Sequence, residues 1–251
     1  MIADGAFLAS EIIVDEVDST NDLARRLLEE QAIALPWLVL ARRQSKGRGQ
    51  GTNEWWSDEG SLTFSIVLDA EASGFSIRHE PLLALISALA ILETVKRYIP
   101  PTQRIGIRWP NDIEAGGRKL GGILTERINR EGQGFLIIGI GMNVGTRLDQ
   151  APREVREMAC SLADFGTPPE KDALLRSLIG RLESMFMRLR ADDPELAKLW
   201  AEADLLLGQS LRVKIGERLL TGVGRGIDER GALLVGVEGG VEAVFGGRVL
   251  R

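Results

Sequence analysis

Residues 104–126 constrain this chain more than any other stretch. Arg104-Ile105-Gly106-Ile107-Arg108-Trp109 alternates with a period of two, which predicts a strand with Ile105, Ile107 and Trp109 on one face. Pro110 ends the ladder because it has no amide hydrogen to donate. Asn111 and Asp112 are turn formers, Gly116-Gly117 supplies the positive φ of a tight reversal, and residues 120–124 return as a second strand. Lys119 is thereby fixed on rigid backbone, beside glycines that let a ligand approach the main chain, which suits a site for negative charge. The same spacing also fits an ordinary hairpin with a surface lysine whose stem packs along apolar neighbours.

Elsewhere, Asp18-Ser19-Thr20-Asn21 offers capping side chains ahead of Leu23, Ala24, Leu27 and Leu28, whose spacing makes one apolar helical face. Residues 37–42 read as a short strand, 43–54 as a polar glycine loop, and 62–68 as a strand alternating large apolar residues with Thr63, Ser65 and Val67. Residues 81–97 read as a core helix, and 134–144 as an apolar run whose glycines mark close backbone approach. Residues 171–189 are amphipathic, and Pro194 opens another helix reaching residue 207. From Gly208 onward, Leu211, Val213 and Ile215 alternate with Arg212 and Lys214, and glycines punctuate short apolar runs, as in a small all-β module. Residues 208–251 are marginal for independent folding, so they should pack on the larger unit of residues 1–207.

Composition narrows the function classes. The chain has 251 residues, with 31 Lys and Arg against 36 Asp and Glu and a formal charge of −5, which argues against a general nucleic-acid binder. Any anion site must be local. The single Cys160 permits no internal disulfide and reads as a packed small residue, which fits a reducing cytoplasm. The longest apolar run, residues 81–92, is too short for a bilayer, and the N-terminus lacks the order of a signal peptide. A soluble cytoplasmic protein is expected. Only one histidine is present, His79, in what reads as a polar loop, so a Ser-His-Asp triad and a zinc cluster both lack support. Catalysis would rest on positioning, cations and backbone donors, the means by which ATP and a carboxylate form an adenylate.

Trp109-Pro110-Asn111-Asp112 together with Lys119-Leu120-Gly121-Gly122-Ile123-Leu124-Thr125-Glu126 resembles the signature of the biotin protein ligases. Asp18-Ser19-Thr20-Asn21, Gln44-Ser45-Lys46-Gly47-Arg48-Gly49, Trp55, Gly139-Ile140-Gly141-Met142-Asn143-Val144 and the segment from Gly224 to Leu233 occur in that family's order. The resemblance implies an α+β fold: a biotin/lipoate-ligase-like mixed sheet with helices, then a small C-terminal SH3-like β-barrel. It implies activation of biotin by ATP and Mg2+ to biotinyl-5′-AMP, then transfer to a lysine of a biotin carboxyl carrier domain of a carboxylase. No nucleic-acid or membrane partner is expected, and homodimerisation is left open. The stretch ahead of Ile12 is too short for the winged helix of DNA-binding family members, so operon repression is not expected. Lipoate or octanoate transfer is the related alternative, and a non-catalytic binder of carrier domains is another.

On the matching positions, the resemblance places Ser19, Thr20 and Asn21 around the ureido and ring end of biotin, and Gln44, Gly47, Arg48 and Gly49 against biotin and adenylate. Trp55 walls the adenylate, Gly122 and Gly141 floor the pocket, and Asn143 and the terminal Arg251 contact ATP. Lys119 bridges the carboxylate and α-phosphate, Asp112 meets the acceptor lysine, and Arg48 belongs to a closing lid; no residue set is expected to hold a metal. Read locally, Ser19, Thr20 and Asn21 also suit helix capping, Asp112 a turn bond, and the two glycines strand bulges. The chain departs from the usual Gly-Arg-Gly-Arg-x-Gly-Arg-x-Trp, carrying Gln50, Thr52 and Asn53 where the family has arginine, glycine and arginine. Two phosphate-facing cations are missing, and Lys46 is the candidate replacement.

Overall fold

The computed structural model, which describes residues 7–30 and 33–250, begins with β1 (Ser10–Val17), α1 (Thr20–Glu30) and β2 (Trp37–Gln44). β1 and β2 are parallel, so a crossover must join them, and α1 is that crossover. Its Ala24 and Leu28 pack with Trp37, Val39, Val67, Phe135 and Ile137 on one face of the sheet. A hairpin of β3 (Gly47–Arg48) and β4 (Glu54–Trp55) leads to β5 (Ser61–Asp69), α2 (Leu83–Val95), β6 (Ile105–Arg108), β7 (Asp112–Ala115), β8 (Arg118–Arg130) and β9 (Gln133–Asn143). The main sheet has seven strands in the order β1, β2, β5, β9, β8, β7, β6, antiparallel after the first pair.

The alternation in β5 separates two faces that are both buried. Leu62, Phe64, Ile66 and Leu68 join the main core, while Thr63 and Ser65, at 1% and 0% exposure, face the side of α1. Against the main-core face lie α2 and, after α3 (Arg153–Met158), α4 (Lys171–Arg190) and α5 (Glu195–Ala203). Because α2 is enclosed by sheet and helices, it is apolar on nearly every side rather than along one stripe. Pro81 falls in a short 3-10 turn ahead of α2. His79 is buried rather than in a polar loop; it meets the Phe75 ring edge-on and Asp192 Oδ1 at 3.4 Å.

Other sequence expectations change as well. Residues 104–126 form a three-strand meander, not one hairpin: Asp112 starts β7, and Gly116-Gly117, at φ +57° and +78°, makes the turn into β8. The last helix stops at Ala203, not residue 207, because the chain turns to run along β6, with Leu205 N–H donating to Ile107 O at 2.9 Å. The hairpin β3–β4 replaces an irregular loop. β1 and α3 carry no strong sequence pattern and appear only in the structure.

The chain then forms β10 (Ser210–Ile215), β11 (Arg218–Ile227), β12 (Leu233–Val237), β13 (Gly240–Val244) and β14 (Arg248–Val249), a second sheet ordered β13, β12, β11, β10, β14. Leu211 and Val213 point inward as their alternation predicts, and they share one apolar core with α2 and the main sheet. Trp109 Nε1 donates to Gly231 O at 2.9 Å, tying the C-terminal sheet to the end of β6. Cys160 is buried, and burial pushes its thiol up to about 11. No helix among the described residues is long and apolar enough to cross a membrane.

Candidate active site

A cleft of about 590 Å3 opens on the side of the main sheet that carries α1. β8 and β9 form its floor, the start of α1 and the β3–β4 hairpin form one wall, and β10 and β14 of the C-terminal sheet reach its rim. Of the positions singled out in the sequence, Ser19, Thr20, Asn21, Gln44, Arg48, Gly49, Trp55, Asp112, Lys119, Gly122, Gly141 and Asn143 all line it. Gly47 stands just behind, in β3, where a Cβ would collide with the carbonyl of Trp55. Arg251 lies outside the described residues.

A bulge aims the lysine. β7 and β8 pair Asp112 with Gly122 and Ile113 with Gly121, then shift, pairing Glu114 with Lys119 and leaving Leu120 as the extra residue. In an unbroken ladder Lys119 would share a face with Gly121 and Ile123, toward the core; the bulge turns it to the face of Gly122. Lys119 Nζ then lies 2.6 Å from Asp112 Oδ1 and 5.6 Å from the centroid of the Trp55 ring. The segment after α3 braces it, with Cys160 N–H donating to Lys119 O at 2.8 Å. Asp112 is thus a strand residue paired with a cation, not a turn former.

Gly122 and Gly141 face each other across β8 and β9. A Cβ at Gly122 would stand 3.2 Å from Lys119 Cε and 3.4 Å from Asp112 Oδ1, and one at Gly141 would come within 2.5 Å of the Trp55 ring. The two glycines therefore make room for the ion pair and the indole. The Trp55 indole N–H is buried, with no hydrogen-bond partner among the described residues. Asn143 Nδ2 donates to Cys160 O at 3.0 Å, which holds its amide in the floor.

The α1 wall is a continuous hydrogen-bond network. Gln44 Oε1 accepts from Thr20 N–H at 2.7 Å, so a side chain from β2 serves the first turn of α1. The Ser65 hydroxyl, 2.7 Å from Thr20 Oγ1, donates to Asn21 Oδ1 at 2.6 Å. Asp18 accepts from Ser19 N–H at 2.8 Å, and the Arg26 guanidinium bonded to it holds its carboxyl down at about 2. Arg48 is an ion-pair partner of both Asp22, at 2.6 Å, and Glu126, at 3.0 Å.

Charge around the cleft is arranged differently from the sequence expectation. Gln50 and Asn53 line it, and Asn53 Nδ2 closes a tight turn onto Gln50 O at 2.9 Å. Lys46 is exposed and outside the lining. Arg108, Arg212 and Arg248 line the cleft instead. Sequence reasoning passed over all three. The alternation in β10 shows that Arg212 is exposed, but not that the C-terminal sheet brings it to this rim. Among the described residues, no group of three or more His, Cys, Asp or Glu could hold a metal ion.

A mixed sheet with helices on it, and a large cleft floored by glycines around a strand-borne lysine–carboxylate pair, define a small-molecule-activating α+β domain. The Biotin/lipoate A/B protein ligase family model matches residues 13–143, and the chain belongs to that family. It is 31% identical to the biotin–[acetyl-CoA-carboxylase] ligase of Mycobacterium tuberculosis over 95% of this chain and 88% of the relative. The corresponding ligase of Paracoccus denitrificans is 27% identical, over 92% of this chain and 98% of its own. Among solved structures, biotin protein ligase from Aquifex aeolicus in complex with biotin and ATP superposes with a TM-score of 0.80 at 27% identity, covering 97% of this chain and 98% of that one.

Proposed function

We propose that this chain is a biotin–[biotin carboxyl carrier protein] ligase. The biotin carboxylate attacks the α-phosphorus of ATP, pyrophosphate leaves, and biotinyl-5′-AMP remains in the cleft. The amine of a carrier-domain lysine then attacks the acyl carbon of this mixed anhydride, forming the amide and releasing AMP. The observation that carries this reading is Lys119 Nζ, turned by the bulge onto the cleft floor 2.6 Å from Asp112, in a chain of this family.

Lys119 bridges the carboxylate and α-phosphate oxygens, where negative charge builds in both steps. Asp112 orients the incoming amine and accepts the proton it loses as the amide forms. Ser19, Thr20, Asn21 and Gln44 hold the ring end of biotin, and Trp55 and Asn143 flank the nucleotide. Gly47, Arg48 and Gly49 keep the hairpin closed over the adenylate and exclude water. Arg108, Arg212 and Arg248, on β6, β10 and β14, carry positive charge toward the phosphates where the β3–β4 loop lacks two arginines. Mg2+ comes with the nucleotide. Of the two cleft-lining carboxylates Asp112 is engaged by Lys119, so Glu54 would be the one left to reach the ion, which phosphate and water oxygens would otherwise hold and which would neutralise the charge of the leaving pyrophosphate.

On this reading residues 1–207 are the catalytic unit and 208–251 an SH3-like module whose strands complete the nucleotide rim. The acceptor is a biotin carboxyl carrier domain, met in a reducing cytoplasm that suits the free Cys160. The test is to incubate the protein with biotin, Mg-ATP and a recombinant carrier domain and to weigh the product. Biotin on a single carrier lysine is expected; modification by lipoate but not biotin overturns the reading.

A further inference from the structure

We infer that Glu126 is the positioning residue for the biotin end of the cleft. It rests on the reading of that cleft as a biotin and ATP site. Glu126 is absent from the cleft lining; it stands behind, on β8, with its side chain 16% exposed. Four N–H donors converge on its two oxygens. Asn21 Nδ2 reaches Oε2 at 2.8 Å, Arg25 Nη2 reaches Oε1 at 2.9 Å, and Arg48 reaches Oε1 at 3.0 Å and Oε2 at 3.3 Å. A carboxylate has about four lone-pair sites, so this one is fully used and cannot turn without breaking a bond.

Its effect reaches the cleft by two routes of unequal redundancy. Arg48 has a second carboxylate, Asp22, at 2.6 Å. The β3–β4 hairpin that carries Trp55 therefore stays anchored to α1 if Glu126 changes. Asn21 has a weaker reserve, a longer bond from Nδ2 to Leu124 O at 3.3 Å. Its Oδ1 accepts from Ser65, so the amide orientation is set by having a donor-hungry carboxylate on one side and a hydroxyl on the other. Ser65 in turn touches Thr20, whose amide is held by Gln44. Glu126 thus acts on Asn21 and, through Ser65, on Thr20 and its partner Gln44, and Asn21, Thr20 and Gln44 are three of the four side chains assigned to biotin.

Glutamine at this position has nearly the same shape but offers one oxygen and two donor hydrogens to four donors. Either an arginine or Asn21 then faces another N–H, and Asn21, whose Nδ2 keeps only the 3.3 Å bond to Leu124 O, is the side that yields. The experiment uses the full chain with Glu126→Gln and, alongside it, Glu126→Asp, which keeps the charge but withdraws it by one methylene. Biotin affinity is read by titration calorimetry, and the Michaelis constants for biotin and ATP by pyrophosphate exchange. Biotin binding and its Michaelis constant should weaken about tenfold in either folded variant, with the ATP constant within about twofold and kcat at saturating biotin within about threefold. Unchanged biotin affinity, or equal losses toward biotin and ATP as a general loosening produces, overturns the inference. Wild-type protein that binds no biotin would instead remove the reading of the cleft, and the role of Glu126 with it.

Discussion

Lys119 and Asp112 stand 2.6 Å apart on paired strands whose regular register would have turned the lysine away from the cleft. The single extra residue Leu120 brings them to one face. Leu120 is itself fully buried, so the bulge is anchored in the core beneath the pair it creates.

Replacing Lys119 with alanine should abolish most adenylate formation while leaving the fold intact, because the side chain is one-third exposed and its backbone bonds remain. Loss of one preorganised charge of this kind costs roughly 10² to 10³ in rate. Biotin-dependent pyrophosphate exchange reports it; near-normal exchange by a folded variant would show that another group meets the developing charge.

Gly141→Ala should damage the nucleotide side more than the biotin side. The added methyl would stand within 2.5 Å of the Trp55 ring, so the indole must leave the floor. Base–aromatic stacking is worth about 1–3 kcal/mol, so ATP affinity should fall about tenfold or more. Tryptophan fluorescence and ATP titration check this together: a variant with unshifted emission and unchanged ATP affinity would mean that Trp55 does not wall the adenylate.

Arg212→Ala and Arg248→Ala should each raise the ATP Michaelis constant roughly three- to tenfold at low ionic strength, with biotin binding nearly unchanged. Both side chains are exposed and, among the described residues, neither has a carboxylate partner. Their effect should therefore shrink as salt is added. If Lys46→Ala shows the salt-sensitive loss and the arginines do not, the charge enters from the loop, as the sequence alone suggested.

What the sequence made legible was local. The strand before Pro110, the Gly116-Gly117 turn and the inward Leu211 and Val213 all follow from short-range pattern. The motif segments up to Asn143 also meet at one cleft, whereas the segment from Gly224 to Leu233 does not line it. The bulge at Leu120 was not legible, because it depends on which residue of β7 opposes which residue of β8, and no period in the sequence records that. Nor was the place of Arg212 and Arg248, which depends on how two sheets dock through Trp109 and Gly231. Gln44 serving the α1 amide escaped notice for the same reason: the partners are far apart in the chain.

Asp204 should leave a mark on stability. It sits where the chain passes from α5 toward the C-terminal sheet, with Oδ1 accepting from Leu206 N–H and Oδ2 buried without a hydrogen-bond partner among the described residues. Burial raises its pKa above 3.8, against a weaker lowering by the Leu206 amide and Arg104. The folded state then binds the proton more tightly than the unfolded chain, so stability falls as pH rises from 3.8 through the folded value and stays lower above it. Asp204→Asn should remove that slope. Urea midpoints of both proteins across this range decide it: the difference between them must change with pH, and a constant difference would mean that Asp204 titrates normally.

ATP–pyrophosphate exchange by the wild-type chain, with biotin and with lipoate as alternative carboxylates, tests the central claim most directly. It reports the first chemical step without requiring a carrier protein. Exchange that needs Mg-ATP and biotin, and is absent with lipoate, is the result this account predicts. Exchange driven by lipoate alone, or none with either acid from a folded protein, would contradict it.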